Sequence, residues 1–189
     1  MHRSTAIFLG FLVSTAAHAQ ATVPICYGYG CVAQAQIHYS PQQLQEISRV
    51  MSAAVDAESE RNLLAQAIGR LYRWAGEQSD IHNDRGGNFA DGHVPGKMDC
   101  IDHSQSTTRL LRLLAERGDL RWHRVLPREG RYFLGLVINH WSAVIEEIAV
   151  ATEVGSAPRF VVDSWFVNNG EPAVILPLDE WKKGAGPDV

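Results

Sequence analysis

The chain reads as an α+β domain, with helices packed on an antiparallel sheet. Two observations predict this. Apolar residues recur at helical spacing between residues 40 and 78 and again after Cys100. From about residue 132 the period changes to two, and β-branched and aromatic residues dominate.

The elements follow in order. Residues 1–19 open with His2 and Arg3, continue as an apolar run from Ala6 to Val13, and end in Ala17-His18-Ala19. That pattern is expected of a signal peptide cleaved before Gln20. The run is shorter than the roughly 20 residues a membrane span requires. Residues 20–189 are then expected to form one domain, exported to the periplasm or secreted. Net charge is −4, or −5 once Arg3 is removed, and no basic run is present. Such a chain has no electrostatic footprint for nucleic acid or anionic lipid.

Ser40-Pro41 is an N-cap followed by proline, with Leu44, Ile47, Val50, Met51 and Val55 on one helical face. A second helix is expected from Glu58 to Gln78, through Leu63, Leu64, Ala67, Ile68, Leu71 and Trp74. Residues 79–97 are rich in glycine, aspartate, asparagine and histidine, and read as a long loop. A third helix starts near Cys100 and ends at Gly118, capped by Asp99 with Asp102 three residues on. Strands are expected over Tyr132 to Ile138, His140 to Ile148, Arg159 to Phe166 and Ala173 to Leu176, then a helical turn at Asp179 to Lys183. The stretch before Ser40 carries no recognised pattern.

There are three cysteines. Cys26 and Cys31, in CYGYGC, are expected to pair in an oxidising compartment. Two separate thiols, or half of a metal site, are the alternatives. Cys100 is left over, and an unpaired thiol in an exported protein is either buried or used.

Cys100 falls at the first position of its helix, where free N–H groups and the helix dipole favour a thiolate. Its own N–H is also placed to receive an oxyanion. Asp99 and Asp102 oppose the thiolate, so a cationic partner is required. His140 begins the run HWSAVIEE, and Asp163 lies within FVVDSWF. If these segments pair as a hairpin with His140 opposite Asp163, an imidazole–carboxylate bond is within reach. A carboxylate in an apolar strand needs such a partner. With Cys100 packed over that face, a thiol, a base and an orienting acid come together, and the Cys100 pKa is expected well below the ordinary thiol value.

A cysteine opening a helix after Asp99, a histidine followed by tryptophan, and an aspartate in VVDSW resemble the transglutaminase-like fold. They are similar in particular to the bacterial transglutaminase-like cysteine proteinases. The resemblance covers about Asp99 to Trp165. It implies a papain-like core with Cys100, His140 and Asp163 as catalytic residues, acting on a protein, peptide or cell-wall amide. It implies no organic cofactor. Acidic residues flanking the cysteine take part in calcium binding in that family; Asp99 fits, but Ile101 stands where a second acidic ligand is expected. The alternatives are a peptidoglycan amidase of the NlpC/P60 type, disfavoured by Ile101-Asp102 after the cysteine, and a non-catalytic periplasmic binding or assembly protein. Two weaker clusters are a zinc set of His93, Asp99, Cys100 and His103, and a cation set of Asp80, Asp84 and Asp91. Neither has a common ligand spacing.

Overall fold

A computed structural model describes residues 20–87, 91–133, 137–148 and 157–187. The expected signal peptide lies outside them. Four α-helices and two antiparallel sheets are present among the described residues, in agreement with the α+β class. None of those helices is long and apolar enough to cross a membrane.

The unpatterned stretch is a hairpin, β1 (Ala21–Tyr27) and β2 (Ala33–Tyr39). Its signal was a period of two: Val23 and Ile25 on β1, Ile37 and Tyr39 on β2, all buried in the main core. The register sets Val23 opposite Ile37. α1 (Pro41–Ser52) starts at Ser40, whose side chain accepts from Gln43 N. Val55 was expected on this helix; it lies beyond it and is exposed, because Asp56 caps a new helix immediately after. That helix, α2 (Ala57–Gly76), buries Leu64, Ala67, Ile68 and Leu71. A Cβ on Gly69 would stand 2.6 Å from the backbone oxygen of Glu171, so glycine is required where α2 meets that loop.

α3 (Cys100–Glu116) begins at Cys100, and Asp99 caps it with Asp102 completing the capping box. Leu110, Leu111 and Leu114 enter the main core. The larger sheet has the order β3 (His123–Phe133), β4 (Val137–Glu147), β5 (Arg159–Asp163), β6 (Val174–Pro177), each strand antiparallel to the next. The strand expected over Tyr132 to Ile138 is instead the end of one strand and the start of the next. His140 therefore lies within β4 rather than at its beginning. α4 (Leu178–Lys182) follows β6 directly.

The two faces of this sheet are buried differently. Ala143, Ile145 and Val162 face the helices in the main core. Val144 and Val161 face a second cluster made by Trp165, Phe166, Leu178 and Trp181. α3 was expected to lie over the His140 face, but its leucines pack into the main core on the other. Only its first residue, Cys100, reaches the second cluster.

Candidate active site

His140 and Asp163 meet, though not in the expected register. Ala143 pairs with Val162 and Val144 with Val161, a register that would bring Asp163 level with Ser142. The offset from His140 is two residues, which preserves the shared face, and a diagonal neighbour is within side-chain reach. His140 Nε2 stands 2.7 Å from Asp163 Oδ2. Trp181 Nε1 donates to the same oxygen at 3.0 Å, and Trp165 N donates to Oδ1 at 3.2 Å. Both His140 and Asp163 are buried. The imidazole is enclosed by the rings of Trp165, Phe166 and Trp181, with centroids 4.7, 5.4 and 5.6 Å away. With Nε2 engaged by the carboxylate, Nδ1 is the nitrogen available for chemistry.

Cys100 is the free cysteine, half-buried, and packs against this same aromatic cluster. The structure reverses the expected direction of its pKa. Burial pushes the thiol up, as do the negative charges of Asp99 and Asp163, while the backbone N–H of Trp141 beside the sulfur offsets this in part. The resting balance favours the thiol. Replacing Asp99 by asparagine keeps a good helix cap but removes one charge. Asp99→Asn is expected to lower the Cys100 alkylation pKa, because one of the charges that holds it up is gone. Iodoacetamide rates measured against pH check this; an unchanged or raised midpoint would contradict it.

Two features were missed. Arg131 is paired with His140 across β3 and β4, and its guanidinium lies over the rings of Trp181 and Phe166. Burial lowers its pKa, while the nearby Asp163 and Cys100 raise it, so a cation stands at the site on the neighbouring strand. Its only sequence signal was an arginine in an otherwise β-favouring segment. The second feature is a buried chain. Asp84 Oδ2 meets His103 Nε2 at 3.0 Å, His103 Nδ1 meets Ser164 Oγ at 2.9 Å, and Ser164 Oγ meets Thr107 Oγ1 at 2.8 Å. This resembles a serine triad in composition, yet the hollow beside it holds only about 10 Å³. It is a tether, joining the loop, α3 and the residue after Asp163.

The tip of the first hairpin clamps the start of α3. Gly28, Tyr29, Gly30 and Cys31 all have left-handed φ values, of 84°, 66°, 71° and 59°. Such a turn aims successive N–H groups at one side. Tyr29 N and Cys31 N donate to Asp102, Gly30 N to Asp99, and Gly28 N to the carbonyl of Lys97, at 2.6 to 2.9 Å. A left-handed conformation is costly for Tyr29 and Cys31 and persists only where neighbours enforce it. The Cys26–Cys31 disulfide, present as expected, does so. Closing so short a loop constrains the unfolded chain by about 2 kcal/mol. The Cys26→Ser, Cys31→Ser double variant is expected to lose about that much in urea unfolding; a change well under 1 kcal/mol would show the staple to be idle.

The clamp also bears on cations. Asp99 accepts from Ile101 N, Asp102 N and Gly30 N, and Asp102 from Tyr29 N, Cys31 N and Asp99 N. Oxygens facing so many N–H donors do not fit a calcium ion, which needs their lone pairs. Asp102, buried and close to Asp99, has its pKa pushed up to about 6. The other clusters are divided among protein partners: Asp84 binds His103 and Met98 N, while Asp91 binds Lys97 and Tyr29 Oη. Among the described residues the one group of three ligand types within mutual reach is Cys26, Cys31 and Asp102, whose sulfurs are already joined.

No family model, no curated protein and no solved structure matches this chain.

Proposed function

We propose that this protein is an exported thiol-dependent peptidase or amidase, or an acyltransferase, of transglutaminase-like type. In this scheme Cys100 is the nucleophile, His140 the base and Asp163 the orienting acid. The observation that carries it is the His140–Asp163 pair at 2.7 Å, held inside the aromatic cluster that Cys100 also contacts. A buried imidazole with one nitrogen locked by a carboxylate has a fixed tautomer and orientation. Trp181 strengthens that lock through the shared oxygen.

Since the thiol rests protonated, its proton moves as the attack occurs. Cys100 Sγ bonds to the acyl carbon while its proton passes to His140 Nδ1. The developing oxyanion is received by the Cys100 N–H at the start of α3. The tetrahedral adduct expels the amine, which takes the proton from His140 and leaves a thioester. Water or an acceptor amine, deprotonated by His140, then attacks the thioester and releases Cys100. Arg131 offsets the negative charges of Asp99 and Asp163 during these steps.

Export to the periplasm or beyond agrees with the Cys26–Cys31 disulfide, a bond that persists in oxidising compartments. The test is intact-mass analysis after reaction with a peptidyl fluoromethyl ketone. A single adduct at Cys100, absent from Cys100→Ser and much slower in His140→Ala, is expected. Equal labelling of wild type and His140→Ala, at the rate of an unassisted thiol, would leave a structural cysteine.

A further inference from the structure

An open depression of about 300 Å³ lies between α3 and β3, further along α3 than Cys100, lined by Gln105, Thr108, Arg109, Arg112, Pro127 and Arg128. Three guanidinium groups therefore surround one hollow in a chain of net charge −4. Arg61, Arg117, Arg124 and Arg159 each have a carboxylate partner. The three around the hollow have none among the described residues. Arg109 donates to the Pro24 carbonyl and to Cys26 Sγ, and Arg128 donates to Ser104 Oγ and lies over the Trp141 ring. Arg112 is exposed. Burial depresses the Arg109 pKa, and the Arg112 charge adds to this, so the arginines repel one another across the hollow. Arg109 and Arg112 also line an adjoining hollow that contains Glu116, and among the described residues neither arginine forms an ion pair with it.

The placement links this hollow to Cys100. Ser104 and Thr108 follow Cys100 at four-residue spacing on α3. At 1.5 Å per residue, Thr108 is about 12 Å along the axis from Cys100 and Arg112 about 18 Å. Trp141, which carries the Arg128 guanidinium, places its backbone N–H beside the Cys100 sulfur. An extended peptide advances about 3.3 Å per residue, so a chain seated at Cys100 reaches the arginines in about four or five residues.

We infer that Arg109, Arg112 and Arg128 form an anion subsite that selects peptides carrying a carboxylate about four residues from the bond presented to Cys100. This rests on the proposed thiol chemistry for its direction, but the binding itself does not. The planar forks of arginine match carboxylates in two-point contact, and an unpaired cluster gains most from one. A peptide fits better than nucleic acid, because the chain carries a net charge of −4 and no basic run to follow a phosphate backbone.

Binding is tested on the full mature chain with Cys100→Ala, which removes the thiol and leaves the arginines in place. The probes are acetylated, amidated pentapeptides bearing two glutamates, or two glutamines at the same positions, followed by titration calorimetry. The glutamate peptide is expected to bind about ten-fold tighter at low ionic strength, with the preference collapsing in high salt. Arg112→Gln, which breaks no described contact, should remove most of that preference. Equal binding of the two peptides, or a preference that survives Arg112→Gln, overturns the subsite. So does tighter binding of a single-stranded oligonucleotide than of the glutamate peptide. If the preference is found while wild-type Cys100 stays inert to every peptidyl electrophile, the subsite stands and the thiol enzyme falls.

Discussion

Cys100→Ser and His140→Ala are each expected to cut Cys100 acylation by p-nitrophenyl acetate by a factor on the order of 10³ or more. Nucleophile and base act as a unit, so the double variant should be scarcely worse than either single one. Asp163→Asn should do less harm, by about two orders of magnitude in the activity lost, because the imidazole stays in place. What it forfeits is the acceptor at 2.7 Å that fixes the His140 tautomer and the acceptor for Trp181 Nε1. Asp163→Asn also removes a charge that pushes the Cys100 thiol up, so its alkylation pKa should fall while its acylation slows. A buried structural aspartate would not move the two readouts in opposite directions. Burst-phase release of p-nitrophenolate measures acylation, iodoacetamide rates against pH give the alkylation pKa, and near-ultraviolet dichroism confirms the fold. Wild-type acylation rates in His140→Ala would end the proposal.

Glu60→Ala is expected to destabilise the protein by about 3 to 5 kcal/mol. Glu60 is fully buried on α2 and accepts from Arg121 N at 2.6 Å, Trp122 N at 3.1 Å and His123 Nδ1 at 2.8 Å. These bonds hold the start of β3 against the helix, and alanine leaves three donors without their acceptor. In a domain of this size the melting temperature should fall by about 10 °C. Burial alone would raise the Glu60 pKa, but His123 and the two N–H groups bring it below the ordinary value. A carboxyl depressed in the folded state stabilises above its unfolded pKa, near 4.3, and that contribution is lost as the pH falls through the folded value. The gap between wild type and Glu60→Ala should therefore narrow in acid. Melting curves at neutral pH and near pH 3 check this, and a gap independent of pH would contradict it.

The comparison between sequence and structure turns on a few residues. The start of α3 was legible because its information is local: Asp99, Cys100 and Asp102 settle a capping box within four residues, whatever packs around them. The helical faces through Leu44, Ile47, Leu64 and Leu71 were legible for the same reason. The first hairpin escaped notice although Val23, Ile25, Ile37 and Tyr39 alternate, since the GYG run between them read as irregular chain. The division between β3 and β4 was misplaced because the chain is continuously apolar from Tyr132 to Ile138, with Gly135 as its one turn-favouring residue.

By itself the sequence determined the α+β class and Cys100 at a helix start, and it pointed to the Cys26–Cys31 pairing and the partnership of His140 with Asp163. Each depends on spacing along the chain, or on the scarcity of partners for a thiol or a carboxylate in apolar surroundings. Only the tertiary structure decided the rest. It moved the His140–Asp163 register by two residues, set Trp181 from beyond β6 on the Asp163 carboxylate, and brought Arg131 to the site. It also turned the Cys100 thiol towards its neutral form, because burial and the charges of neighbouring Asp99 and distant Asp163 outweigh the local pull of the helix end. Trp181 and Asp163 are 18 positions apart in the chain and His140 and Asp163 are 23, and no local pattern encodes how such segments meet.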